Sequence, residues 1–364
     1  MIEENVELMK GNEAIAHAAI RCGCDGYFGY PITPQSEVLE TLSELKPWET
    51  SGMVVLQAES EVAAINMLYG GGGSGKRVMT SSSSPGVALM QEGISYMAAA
   101  EIPALIVNVQ RGGPGLGTIQ PSQSDYRQAT VGGGNGDYHL LTYAPASIQE
   151  AINIMMFAFD KAEKYRMPVL FLADGIIAQM MEPVEMPEMV DYKVDPEKKP
   201  WAATGWKPGD DPAKRAVINS LFINTEDLTV HNDHLQAIYA EARKNEQMWE
   251  EYRLEDAEYI ITAFGTVSRI AKSAVDELRE MGIKAGLFRP ITVWPFPYEH
   301  LKAAAERDCV KALLDVEANE GQMLEDVKLA VNGAKHVDFF GHCGSLMPTT
   351  EEIKAKILEM KEGK

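Results

Sequence analysis

Residues 29–38 read GYPITPQSEV, and residues 53–64 read MVVLQAESEVAA. The first stretch leaves a short apolar run at 26–30, and the second opens with one at 53–57. Each run passes at once into a helical pattern. Short apolar runs alternating with helical periodicity read as parallel strands joined by helices. In an open sheet of that kind the carboxyl ends of the strands face the ligand crevice. One hydroxyl, Thr33, and one carboxylate, Glu61, stand at the ends of these two successive runs. Both also have ordinary structural readings. Thr33 suits an N-cap, with Pro34 at the first helical position. Glu61 falls in the first turn after Ser60, where the helix dipole favours a negative charge. Glu59, two residues earlier, competes with Glu61 for any chemistry.

Working outward, residues 12–21 have helical spacing, with Ala14, Ile15, Ala18 and Ala19 on one side. Residues 70–76, GGGGSGK, imitate a phosphate-binding loop. The next residue is Arg77, where Mg²⁺ binding requires Ser or Thr. A helix precedes the run and a strand at 77–80 follows it, the reverse of the order such a loop needs. The run TSSSSP at 80–85 closes that strand and opens a helix over 87–99. A strongly apolar strand, 104–109, ends at Gln110 and Arg111, and GGPGLGTIQPSQSD follows. A loop this long and rich in glycine reads as functional. An arginine at a strand end, beside backbone freed by glycine, suits a carboxylate ligand. Pairing with a structural acid is its ordinary alternative.

Strands at 138–143 and 169–173 flank a helix over 147–165, with Ser147 and Glu150 spaced as a capping box. These elements complete a parallel α/β domain, residues 1–185. Residues 186–256 carry prolines, tryptophans and charge runs and read as a linker subdomain, with one helix expected over 235–252. His231 and His234 share a face there, but no further ligands accompany them. Residues 257–364 alternate again: strands at 259–261, 284–288, 310–316 and 337–340, with helices over 267–281 and 349–360. The expected fold is α/β, with two doubly wound, mostly parallel sheets.

The chain has 364 residues, enough for two or three domains, and 45% of them are hydrophobic. No apolar window is long enough for a membrane helix, and the acidic stretch MIEENVELMKGNEA has no signal core, so a soluble cytoplasmic protein is expected. A net charge of −20 argues against nucleic acid. The four cysteines, Cys22, Cys24, Cys309 and Cys343, have neither zinc nor iron–sulfur spacing. Cys22 and Cys24 read as buried structural thiols. Any electron carriers must lie on another chain.

The order SEVAA at 60–64, Gly75-Lys76 and TSSSSPG at 80–86 resembles the pyrimidine domain of thiamine diphosphate enzymes. YPITP at 30–34 with RGGPG at 111–115 narrows the resemblance to the 2-oxoacid:ferredoxin oxidoreductases. FRPITVWPFP at 288–297 resembles their transketolase C-terminal-like domain. The resemblance covers nearly the whole chain. It implies that Glu61 binds N1′ of the aminopyrimidine, and that Thr33, with Pro31 and Ile32, lies against the cofactor and substrate. It also implies that Arg111 holds the substrate carboxylate. Glu59 falls off the pattern. The hard step in decarboxylating a 2-oxoacid belongs to the cofactor.

The GDG motif that binds diphosphate and Mg²⁺ in this superfamily occurs nowhere in the sequence. By resemblance, those parts lie on a diphosphate-binding subunit, 4Fe–4S clusters lie on a ferredoxin-like subunit, and a small third subunit completes a hetero-oligomer dimerised in pairs. Ferredoxin is then the electron acceptor and CoA the acyl acceptor. Relatives acting on 2-oxoglutarate carry a cation in the glycine-rich loop. Here no Lys or Arg occurs between Arg111 and Asp125, while Leu116 and Ile119 are apolar. This favours a branched substrate, 3-methyl-2-oxobutanoate, with 2-oxoglutarate as the alternative. A non-catalytic assembly subunit and a non-redox transketolase-like enzyme are the readings from other classes. The retained Thr33, Glu61 and Arg111 count against the first, and YPITP with the missing diphosphate motif against the second.

Overall fold

The structure, a computed structural model, describes residues 6–193, 195 and 197–363. The first half supplies β1 (Val6–Lys10), β2 (Gly26–Gly29), β3 (Val54–Gln57), β4 (Val78–Ser82), β5 (Ala104–Gln110), β6 (Leu141–Tyr143), β7 (Pro168–Asp174) and β8 (Met181–Glu185). The second supplies β9 (Trp249–Tyr252), β10 (Tyr259–Thr262), β11 (Ala285–Pro290), β12 (Thr292–Trp294), β13 (Ala312–Glu317) and β14 (His336–Gly341). The larger sheet has the order β12-β6-β7-β5-β4-β2-β3, and the smaller one β14-β13-β10-β11-β9. Both are parallel except at one edge each, where β12 and β9 run antiparallel to their neighbours. β1 and β8 form a separate antiparallel pair.

The central strands show why the apolar runs were readable. Every residue of β5 (ALIVNVQ) and β7 (PVLFLAD) is buried. Helices cover both faces of such a sheet, so its inner strands need apolar side chains in both directions. The outermost strand, β3, is mostly exposed.

The four glycines at 70–73 lie inside the helix Glu61–Gly73, not after it. A Cβ on Gly72 would stand 2.5 Å from Ile102 Cγ2 and 3.0 Å from the Pro103 carbonyl oxygen. Glycine therefore lets the end of this helix close on the chain before β5, despite its poor helix propensity.

Four short strands, β1, β8, β9 and β12, were not legible. The single helix expected over 235–252 is instead the helix Thr225–Asn245 followed by β9. β9 is held to β11 by pairing and by the Arg289 ion pair with Glu250 at 2.9 Å. Tertiary pairing here overrides helix propensity. The motif FRPITVWPFP is likewise divided between sheets. Its first residues end β11 in the smaller sheet, and β12 pairs with β6 in the larger one.

Arg289 ties the two units together. It is buried and donates to both oxygens of Glu150 at 2.7 Å. Glu150 is thereby diverted from a complete capping box: Ser147 accepts from the Glu150 N–H, but the Glu150 carboxylate goes to Arg289 and to the Ala146 N–H. A buried, bidentate guanidinium–carboxylate pair outranks one exposed cap bond.

Cys22 and Cys24 are buried, with Sγ atoms donating to the carbonyls of Ala19 and Gly26, each at 3.3 Å. Burial pushes the Cys22 thiol up to about 12 and that of Cys24 well above its ordinary range. The thiolate, which reacts, is therefore suppressed. A thiol held up in the fold keeps its stabilising contribution below its ordinary range and loses it as pH rises towards 12. At pH 8 a maleimide should label Cys343, which is exposed, and spare Cys22 and Cys24 until the chain unfolds. Peptide mapping that finds all three labelled at one rate would contradict this placement.

Candidate active site

β2 and β3 pair in parallel, with Gly29 opposite Gln57, and the Ala58 N–H donates to the Gly29 carbonyl at 2.8 Å. Thr33 and Glu61 each lie four residues beyond those paired ends. β4 lies on the other side of β2, and β5 beyond it. From β2 the chain turns outward to β3, and from β4 it turns the opposite way to β5. This divergence is the topological switch point, where an open sheet has its crevice. The loops after β2, β3, β4 and β5 carry Thr33, Glu61, Ser82 to Gly86, and Arg111, so the fold gathers all three expected residues at one end of one sheet.

Thr33 is exposed and does not cap the following helix. That helix is Ser36–Leu45, with Gln35 at the N-cap position. The reason is the buried Gln35 side chain. Its amide donates to the Tyr30 carbonyl at 3.0 Å and accepts from Ser81 Oγ at 2.5 Å, so residues 32–35 form a turn first. Asn12, which is buried, and Gln179 both donate to the Pro34 carbonyl. Pro31 is exposed and Ile32 half-buried beside Thr33.

Glu61 opens the helix Glu61–Gly73, and Ser60 caps it by accepting from the Ala63 N–H at 3.2 Å. Glu61 is only 6% exposed, yet among the described residues its carboxylate makes no hydrogen bond or ion pair. Glu59 is exposed. Gly86 lies directly against the Glu61 carboxylate. A Cβ at that position would overlap Ser82 Oγ and stand 2.6 Å from Glu61 Oε1. Ser82 Oγ and Ser83 Oγ are buried without a partner among the described residues. A buried carboxylate beside two unsatisfied hydroxyls is costly to the chain alone.

Arg111 is also 6% exposed. Its guanidinium donates to the carbonyls of Thr33 at 2.8 Å and Leu116 at 3.1 Å, and Nε is buried without a partner. No acid pairs with it among the described residues, so the structural-acid alternative falls. Its backbone N–H donates to Ser84 Oγ at 3.0 Å, and Ser84 donates to Asp125 Oδ2 at 2.5 Å. Asn108 donates to the same oxygen at 2.9 Å. Burial pushes the Asp125 carboxyl up, while Ser84 and Asn108 hold it down. Arg111 thus joins the loop after β2 to its own loop through carbonyl contacts, and keeps its positive charge unneutralised.

A cleft of about 630 Å³ opens beside Thr33, with Ile119, Gln120, Glu37 and Glu40 in its walls. Leu116, read as a second apolar wall, is 82% exposed; only its carbonyl faces Arg111. Gln35, Asn108 and Asp125 were not identified from the sequence. The one signal was four hydroxyls in succession closing β4, of which Ser81 holds Gln35 and Ser84 holds Asp125. His231 and His234 are used separately, against the Ala99 carbonyl and Glu101. Among the described residues no helix is long and apolar enough to cross a membrane.

The fold and the site together define an α/β chain that brings to one switch point, among the described residues, an acid without a partner and an arginine without an acidic partner. Residues 17–251 match the thiamine-diphosphate-binding domain of the pyruvate flavodoxin/ferredoxin oxidoreductases, and residues 257–353 match core domain II of pyruvate:ferredoxin oxidoreductase. The chain belongs to this oxidoreductase family. It is 46% identical over 355 residues to the ketoisovalerate oxidoreductase subunit VorB of Methanothermobacter marburgensis, covering 97% of each chain. It is 36% identical over 381 residues to the 2-oxoglutarate synthase subunit KorA of Methanothermobacter thermautotrophicus, covering 97% of this chain and 98% of that one. Among solved structures, the 2-oxoglutarate:ferredoxin oxidoreductase from Magnetococcus marinus, with 2-oxoglutarate, coenzyme A and succinyl-CoA bound, superposes with a TM-score of 0.84 at 25% identity. That match covers 98% of this chain, which spans 65% of the solved one.

Proposed function

We propose that this chain is the subunit carrying the pyrimidine side of a thiamine diphosphate site in a 2-oxoacid:ferredoxin oxidoreductase. The complex would oxidatively decarboxylate 3-methyl-2-oxobutanoate to its acyl-CoA and CO₂, passing electrons to ferredoxin. The observation that carries this reading is the buried Glu61 carboxylate, without a partner among the described residues, at the crevice that also holds Arg111. Residues 1–185 make up the cofactor-side unit, 186–256 the connection, whose last strand, β9, joins the smaller sheet, and 257–364 the second unit, whose β12 joins the larger one.

The residues fit the cofactor. Glu61 offers a buried acceptor for a proton on a ring nitrogen, and Gly86 leaves a flat approach to it. Ser82 and Ser83 add unsatisfied hydroxyls nearby. When bound, thiamine diphosphate supplies the carbon nucleophile and electron sink that decarboxylation needs. Glu61 holds the proton at N1′ in a site where burial strengthens the contact. Thr33, with Pro31 and Ile32, lines the approach to the crevice. Arg111 holds the substrate carboxylate through its uncommitted guanidinium edge.

The VorB relative's name supports the branched substrate. So does the cleft, whose walls carry Ile119, Glu37 and Glu40 and no Lys or Arg. The KorA name and the 2-oxoglutarate-bound neighbour favour the competing substrate, but these walls offer a second carboxylate no cation. In this reading the diphosphate and Mg²⁺ sit on a partner subunit, which the missing GDG motif supports. The 4Fe–4S clusters and a small third component belong to other partners. Exposed Leu56, Val62, Met67 and Leu89 flank the Glu61 end of β3 and the two helices beside it, a surface suited to the diphosphate-binding partner.

The test is a titration followed by an assay. The purified chain should bind thiamine diphosphate weakly or not at all by calorimetry. Combined anaerobically with its partners, it should support CoA-dependent viologen reduction with 3-methyl-2-oxobutanoate. Tight, Mg²⁺-dependent binding by the chain alone would overturn the division of the site.

A further inference from the structure

The smaller sheet has its own switch point. From β10 the chain proceeds to β11 on one side, and from β13 to β14 on the other. Between β10 and β13, therefore, lies the crevice in which a sheet of this kind binds a ligand. A side chain from the first unit fills it. Gln123 is fully buried there. Its Nε2 donates to the Phe264 carbonyl after β10, at 2.8 Å, and its Oε1 accepts from the Ala318 N–H after β13, at 3.2 Å. Its backbone is held as well. The N–H donates to the Ala318 carbonyl at 3.1 Å, and the carbonyl accepts from Asn319 Nδ2 at 2.9 Å. The second unit thus meets both main-chain groups of this residue and both ends of its amide.

The receptor is itself braced. Glu317 accepts from Asn319 Nδ2 at 2.8 Å and from the N–H groups of Met323 and Leu324. Gln322 donates to the Ser124 carbonyl at 2.7 Å, and Ser345, beyond β14, donates to the Gln120 carbonyl at 3.2 Å. The captured segment is the far end of the loop that begins at Arg111. Two residues before Gln123, Pro121 bridges back to Arg111; two residues after it, Asp125 holds Ser84, which holds the Arg111 N–H.

We propose that Gln123 is a positioning residue, through which the second unit sets the loop that carries Arg111. It touches neither cofactor nor substrate in this reading. It fixes where the arginine stands, and the second unit acts on the site through it.

The loop itself is tested on the purified full-length chain by hydrogen exchange. Gln123→Met keeps the length and removes both amide bonds. Exchange in a peptide covering residues 112–121 should rise at least about tenfold, while β4 and β5 stay protected. Exchange within about twofold of the parent would overturn the proposal. Gln322→Ala, at a half-buried rim, guards against a folding failure; it should loosen the same peptide severalfold, and an unchanged peptide counts against the proposal equally. The kinetic arm rests on the function proposed above. In the assembled complex Gln123→Met should raise KM for the 2-oxoacid about tenfold and change kcat by less than about threefold. A lower kcat at unchanged KM would overturn positioning. A parent complex that turns over no 2-oxoacid would defeat the functional reading, and the exchange result would then decide on Gln123 alone.

Discussion

Glu61→Gln should abolish nearly all turnover of the assembled complex and leave the chain folded. The substitution keeps the side chain's shape, so Gly86 and Ser82 keep their packing. What changes is the charge and the hydrogen-bonding sense at one oxygen. A glutamine cannot hold the proton that the ring nitrogen must share, and a loss of roughly a thousandfold is the scale of a missing acid–base partner. The same substitution should not destabilise the isolated chain. The carboxylate has no partner among the described residues, so an amide is the cheaper group to bury and the unfolding midpoint should hold or rise. A functional group that its own fold leaves unsatisfied shows this opposition between stability and activity. Glu59→Gln, at an exposed position, should change turnover by less than about twofold. Comparable losses from the two substitutions would show that the wrong carboxylate has been assigned.

The second large effect concerns the substrate. The complex should prefer 3-methyl-2-oxobutanoate to 2-oxoglutarate by at least about tenfold in kcat/KM, for which ~1.4 kcal/mol suffices. A branched side chain gains ~0.8 kcal/mol per buried CH₂. A second carboxylate would be desolvated beside Glu37 and Glu40, with no cation in the walls of the cleft. An unpaired buried charge costs several kcal/mol, which sets the sign of the expected preference. Arg111→Ala should depress activity on every 2-oxoacid in the panel, because all share the first carboxylate. It also removes the bond to the Thr33 carbonyl that joins the loops after β2 and β5. Viologen reduction with CoA across a panel of 2-oxoacids reads both effects. Equal or faster turnover of 2-oxoglutarate would defeat the substrate assignment and leave the role of Glu61 untouched.

Much of this was legible because burial on both faces of a parallel sheet writes itself as continuous apolar runs. β5 and β7 announce themselves in that way, and the residues just past strand ends are then the ones to inspect: Thr33 follows β2, Glu61 follows β3 and Arg111 follows β5. The cap expected at Thr33 failed because Gln35 reaches a partner, Ser81, that is 46 residues away in sequence. The helix expected to run on to Tyr252 failed for a similar reason: β9 exists only by pairing with β11, which is not its neighbour in the chain. Gln123 sits in a loop whose glycine-rich composition read as functional but singled out none of its polar residues. Its receptor is assembled from the ends of β10 and β13, and no local pattern could name it.

β12 gives the chain a consequence for its modularity. The strand is three residues long, and it leaves the second unit to close the outer edge of the first unit's sheet beside β6. A chain divided between the two sheets would leave β6 with open backbone donors and acceptors, the kind of edge that recruits other chains. The second unit is therefore no cassette that gene fusion or fission can move without repair. A lineage that splits, loses or exchanges it must keep this short strand with the first unit or supply another to cover the seam.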